Sequence, residues 1–146
     1  MPTHAEKRRL PYTPEQMFEL VADVEKYPEF LPWCVATRVR SRTSDGVVAD
    51  MVIGYKAFRE RFTSTARFDR PGMRIDVAYQ EGPFRFLSNH WVFERAPNGC
   101  AIDFYIDFEF RSGLLEKAIT AVFNRAVSRM VEAFERRAKA MYGPRD

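Results

Sequence analysis

The sequence predicts an α+β fold: a curved antiparallel sheet of about seven strands, two short helices after the first strand, and a long C-terminal helix packed across the sheet. Three observations carry this. Between Val35 and Glu109 the apolar residues alternate with period two, and turn signals punctuate the runs. After Ser112-Gly113 the period changes to that of a helix and holds for about 29 residues. The 146 residues contain no internal repeat and no low-complexity linker, so residues 1–146 read as one domain, large enough to bury a core and a cavity within it.

Residues 4–11 suit a first strand ending at Leu10-Pro11. In Thr13-Pro14-Glu15-Gln16, Thr13 is placed to cap a helix, Pro14 fits its first position, and Gln16 completes a capping box. The short helix that follows carries Met17, Phe18, Val21 and Val24 on one side and must end before Pro28. In Tyr27-Pro28-Glu29-Phe30-Leu31-Pro32-Trp33-Cys34 the two prolines forbid a long helix, yet large apolar side chains crowd the segment. A second helical turn or compact loop pressed on the core fits both facts.

Six strands are expected at about 35–42, 47–55, 58–69, 73–80, 85–95 and 100–110. Ser44-Asp45-Gly46, Pro71-Gly72, Glu81-Gly82-Pro83 and Pro97-Asn98-Gly99 join them as hairpins. Short connections make consecutive strands antiparallel neighbours. The final helix carries Leu115, Ile119, Val122, Phe123, Ala126, Val127, Met130, Phe134, Ala138 and Met141 on its apolar side and stops at Gly143-Pro144. Unbroken, it would be roughly 40–45 Å long and would lie across most of the sheet.

The strand faces follow from the alternation. Ile102, Phe104, Ile106, Phe108 and Phe110 form one apolar face, against Asp103, Tyr105, Asp107 and Glu109 on the other. The inward sets elsewhere are Leu87, Asn89, Trp91 and Phe93; Ile75, Val77 and Tyr79; and Phe58, Glu60, Phe62, Ser64, Ala66 and Phe68. Glu60, Ser64 and Asn89 are polar in apolar company, and each needs a partner. For Glu60 the alternatives are an arginine reaching round the sheet edge or a ligand; for Asn89, a structural bond or a ligand carbonyl. With 13 Phe in the chain, the rings are either ordinary core or the walls of an incompletely filled apolar space. Lys7 and Arg9 could face Asp103 and Asp107 if the first and last strands pair.

Several function classes find no support. Cys34 and Cys100 provide neither a disulfide framework nor metal-ligand spacing, and they fit a reducing, cytoplasmic setting. No metal ligand set is read. His4 stands near the start and His90 on an outward strand face, with nothing to orient Ser88 beside it, so no catalytic residue is assigned and no enzyme expected. No leader or membrane span is expected, which leaves peripheral contact. The net charge of +3, with Arg38, Arg40 and Arg42 alternating as do Arg59, Arg61 and Arg67, reads either as a solvated surface or as one suited to RNA or anionic membranes.

The segment Tyr27-Pro28-Glu29-Phe30-Leu31-Pro32-Trp33-Cys34, with the order of elements, resembles the coenzyme Q-binding proteins of the START and polyketide-cyclase-like superfamily. Phe62-Thr63-Ser64, Gly82-Pro83-Phe84 leading to Leu87 and Trp91-Val92-Phe93, and Asp107-Phe108-Glu109-Phe110 support the likeness, which spans about residues 4–142. The resemblance implies a START-like, helix-grip domain with a hydrophobic tunnel. Its ligand would be ubiquinone, a related polyprenyl quinone or another lipid, with no cofactor required. The implied role is a non-enzymatic quinone carrier or chaperone in respiratory electron transport or quinone synthesis. It would be cytoplasmic, peripheral at the inner membrane, and would not bind DNA. A similar bacterial branch is described as a ribosome-associated toxin blocking subunit association. The broader superfamily includes cyclases and dehydrases of aromatic polyketides. Combined with the inward faces, this gives Phe30, Leu31, Trp33, Phe58, Glu60, Phe62, Ser64, Tyr79, Leu87, Asn89, Trp91, Phe104, Phe108, Leu115, Ile119 and Phe123 as expected ligand contacts. The 27–33 segment is expected over one end of the tunnel, as a gate or as a plain core plug.

Overall fold

The computed structural model describes residues 3–55 and 58–144, with all side chains in these stretches except those of Tyr55, Phe58 and Asn124. The chain forms β1 (Thr3–Leu10), α1 (Pro14–Ala22), a 3₁₀ helix (Val24–Glu29), β2 (Cys34–Thr43), β3 (Gly46–Tyr55), β4 (Phe58–Asp69), β5 (Arg74–Glu81), β6 (Phe84–Ala96), β7 (Gly99–Phe110), α2 (Gly113–Thr120) and α3 (Phe123–Tyr142). The sheet order is β1-β7-β6-β5-β4-β3-β2, antiparallel throughout. The helices after β1 carry the chain to the far edge. It then returns by hairpins until β7 meets β1. This is the expected helix-grip architecture.

Local chemistry explains the element ends. Thr13 Oγ1 accepts from the Gln16 N–H (3.0 Å) while the Thr13 N–H donates to Gln16 Oε1 (3.0 Å), so the capping box forms in full. α1 buries Met17, Phe18, Leu20, Val21 and Ala22, with Phe18 edge-on to Phe68 and Phe93. Gly99 sits at the β6–β7 turn because a Cβ there would lie 1.9 Å from the Leu10 carbonyl oxygen. The far end of α3 is tied down by two phenols. Tyr12 donates to the Gly143 carbonyl (2.9 Å) and Tyr142 to that of Gln16 (3.1 Å).

Two expectations need correction. The C-terminal helix is interrupted at Ala121-Val122, where Val122 leaves helical geometry at φ −121° and ψ 3°. Ile119, Thr120 and Val122 put three β-branched residues at the joint, which weakens helix there without any Gly or Pro to announce it. The long helix that remains, α3, is 20 residues, about 30 Å. Along the β1–β7 pair, Lys7 does face Asp103, but Arg9 faces Ala101 and Asp107 is opposite Thr3. The Thr3 hydroxyl donates to Asp107 (2.8 Å).

The inward row of β1 carries His4, Glu6 and Arg8, unusual for a core face. Glu6 accepts from Arg8 Nε (2.9 Å) and bonds His4 Nε2 (3.0 Å), and Arg8 reaches Glu135 on α3 (3.0 Å). Inward charges at an edge strand discourage edge-to-edge pairing with another sheet.

Candidate functional site

Between the concave sheet face and the two C-terminal helices lies a cavity of about 300 Å³. Its floor includes Phe62 and Ser64 of β4, Leu87, Asn89 and Trp91 of β6, and Phe104 and Phe108 of β7. Leu115 and Ile119 of α2 and Phe123 of α3 line it from the helix side, and Leu31 and Trp33 line it from the segment before β2. Glu60 lines it as well. These expected residues therefore do converge on one space, because the period-two alternation of β4, β6 and β7 directs them to one face.

Two others, Phe30 and Tyr79, do not line it. Phe30 stands outside, edge-on to Tyr27 (6.0 Å) and Phe134 (5.2 Å) with the Arg137 guanidinium over its ring (5.1 Å). Tyr79 sits behind Phe84, 5.4 Å ring to ring, and its hydroxyl accepts the Phe84 N–H (3.1 Å). The side chain of Phe58 lies outside the described residues.

The sequence reading left out other walls: Val21, Val24 and Tyr27 before β2, Met51 and Ile53 of β3, and Val127, Met130 and Phe134 of α3. For α3 the signal was present in the apolar stripe. In β3 it was not, because Val47, Ala49, Met51 and Ile53 alternate with Val48, Asp50 and Val52, and both sets are largely apolar.

The walls are held by interlocked rings. Trp91 lies 4.6 Å from Phe104 and 5.1 Å from Phe134, both tilted edge-on, so it joins β6, β7 and α3. Phe108 meets Phe123 at 5.2 Å. Asn89 answers the question its position raised. Its Nδ2 donates to the Tyr105 carbonyl (2.8 Å) and its Oδ1 accepts the Trp91 indole N–H (3.2 Å), so it is a clip that orients Trp91. The Tyr27 hydroxyl donates to the Val21 carbonyl, and burial raises its pKa far above the ordinary phenol value. Burial also pushes the Cys34 thiol up to about 11, which keeps it protonated and inert at neutral pH. Among the described residues, Glu60 makes no ion pair or hydrogen bond, so the arginine partner considered for it is absent. Neither His is among the lining residues, and no cluster of three or more metal-ligating side chains occurs among the described residues.

The 27–34 segment contributes Tyr27, Leu31, Pro32, Trp33 and Cys34 to the cavity wall. Leu31 and Pro32 line both the cavity and an open groove bounded by Glu29, Arg129, Glu132 and Arg136. Arg137 latches the segment to α3 through Glu29 (2.9 Å) and Phe30. Trp33 is at φ 64°, a left-handed conformation costing a bulky residue about 1–3 kcal/mol.

On the outer face of the sheet, Asp50 is buried, accepts from the Thr63 hydroxyl (2.6 Å) and from Arg40 Nε (2.9 Å), and so has a lowered pKa. Around it Arg38, Arg59, Arg61 and Arg67 are exposed and make no ion pair among the described residues. No helix of the described residues is long and apolar enough to cross a membrane.

Comparison with known proteins gives this cavity a context. A ribosome association toxin of Rickettsia prowazekii is 38% identical over 133 residues, covering 89% of this chain and 91% of that protein. A mitochondrial coenzyme Q-binding protein of Drosophila melanogaster is 29% identical over 145 residues, covering 97% of this chain and 60% of that protein. The solution structure of an 18 kDa protein from Caulobacter crescentus superposes with a TM-score of 0.80 at 36% identity, covering 99% of this chain and all of that one. The family model described as polyketide cyclase / dehydrase and lipid transport matches residues 10–135, and the chain belongs to that family.

Proposed function

We propose that this protein binds a polyprenyl quinone, ubiquinone or a close relative, in the cavity between sheet and helices and carries it without chemical change. The observation that carries the reading is the cavity itself: about 300 Å³, ringed by aromatic and aliphatic side chains, with few polar groups. Such a lining favours an apolar ligand of some length, since burial of apolar surface contributes about 25 cal/mol per Å². The coenzyme Q-binding relative supports a quinone as the occupant. In this reading the ligand contacts are the lining residues, and the Tyr27–Trp33 segment is the gate, hinged at Trp33 and latched by Arg137. Extraction of the purified protein with organic solvent, followed by mass spectrometry, tests the proposal. A quinone in the extract, and saturable binding of added quinone, is the expected result. An extract without quinone and no saturable binding would defeat it.

A second reading has its own observation. The arginines on the outer sheet face, without ion pairs among the described residues, suit a polyanion, and the toxin relative is named for ribosome association. Sedimentation with ribosomes through a sucrose gradient at low salt decides it. Co-migration that weakens as salt rises supports this role, and a protein that stays at the top excludes it. The two roles use opposite faces of the sheet.

A further inference from the structure

We infer that the cavity prefers the reduced, hydroxyl-bearing form of its ligand, with Glu60 as the acceptor for a phenolic O–H. This rests on the quinone reading above and adds the redox state of the bound species. Few polar groups stand in the cavity wall. Asn89 has a donor and an acceptor engaged within the protein, and the Tyr27 hydroxyl donates to the Val21 carbonyl. The Cys34 thiol is a weak donor at most. The strand amides are paired in the ladder, as at Ile53 opposite Glu60. Among the described residues the Glu60 carboxylate and the Ser64 hydroxyl have no bond within the protein, and Asn89 keeps one amide N–H. Glu60 and Ser64 share the inner face of β4 four residues apart, about 13 Å along an extended strand, so one small ring reaches only one of them.

Glu60 is the charged member of the pair, and it stands at the gate end of the cavity. Its cross-strand partner Ile53 precedes Gly54, whose N–H donates to the Trp33 carbonyl (2.9 Å). A head group there meets a carboxylate on one side and the gate on the other. A quinone presents only acceptor oxygens, which form no bond with a carboxylate and repel it. The hydroquinone presents two O–H donors, and an O–H donated to a carboxylate is among the stronger hydrogen bonds. The expected preference is about tenfold or more in affinity. No covalent or electron-transfer step is involved; the bound couple's midpoint potential rises by about 30 mV for each tenfold preference.

The test is anaerobic titration of the full chain with decylubiquinone and with decylubiquinol, read by quenching of Trp33 and Trp91 fluorescence. The wild type is expected to bind the quinol at least tenfold more tightly. In Glu60→Gln, which adds an amide donor at nearly the same size, and in Glu60→Leu, quinol affinity falls and quinone affinity holds or rises. Circular dichroism and melting temperature verify the fold of both variants. Equal wild-type affinities overturn the inference and leave the quinone reading standing, as does a preference unchanged in both variants. Binding of neither form overturns the quinone reading and the inference with it.

Discussion

Ala66→Leu puts the reality of the cavity to a direct test. Ala66 lies on the inner face of β4 between Val47 of β3 and Val77 of β5, 7% exposed, and lines the cavity. A small residue between two branched ones leaves a notch in the floor, and a larger side chain there can extend only into the void. Leucine adds three carbons, worth about 2.4 kcal/mol at ~0.8 kcal/mol per buried methylene, less about 0.5–1 kcal/mol of rotamer entropy. The net gain of about 1.5 kcal/mol corresponds to a rise in melting temperature of roughly 3–6 °C for a chain of this size. The same carbons occupy space a ligand needs, so quinone affinity should fall at least tenfold. Calorimetric melting of the ligand-free protein and titration with quinone give the two numbers. A melting temperature lowered by the equivalent of 1–3 kcal/mol would mean the site is already filled and leucine overpacks it. A rise without loss of binding would mean the ligand sits elsewhere. Either result refutes the reasoning.

Other expectations follow from the same geometry. Leu31→Ser should slow quinone uptake from liposomes several-fold while lowering stability by no more than about 1–2 kcal/mol, because Leu31 is only half-buried; strong destabilisation with unimpaired binding per folded molecule would make the segment a plug. Asn89→Ala strands the Trp91 indole N–H and should cost about 1–3 kcal/mol, with a shift in tryptophan emission; unchanged melting and emission would show that the clip does not hold Trp91. Asp50→Asn should destabilise at neutral pH. The Thr63 and Arg40 hydrogen bonds depress the folded pKa, so the carboxylate's contribution is present above the unfolded value of about 3.9 and lost as pH falls through the folded one. The gap between wild type and variant, read from denaturant titrations, should therefore close in acid, and a gap that persists or widens there would remove Asp50 from the account.

The fold was legible in the sequence where chemistry distinguished the two faces of a strand. In β7 the acidic residues Asp103, Asp107 and Glu109 mark one face and leave Phe104, Phe108 and Phe110 to the other, and burial follows that division. Thr13-Pro14-Glu15-Gln16 carried enough capping chemistry to place the start of α1. Legibility failed where both parities were apolar, as in β3, and at Ala121-Val122, where the apolar stripe runs through the helix break without Gly or Pro. Partners distant in sequence were also invisible. Asn89 and Trp91 are two residues apart, but the Tyr105 carbonyl that completes their bonding becomes adjacent only through the β6–β7 register. Phe30 was read as a cavity residue because its apolar neighbours are; the 3₁₀ helix, ending at Glu29, turns it outward beneath Arg137.

The central claim, that the space between sheet and helices holds a quinone, is tested most directly by native mass spectrometry after incubation with excess quinone. The account predicts a one-to-one adduct that Ala66→Leu abolishes and solvent extraction removes. A wild-type spectrum showing the bare chain alone, or an adduct equally abundant in Ala66→Leu, would contradict it.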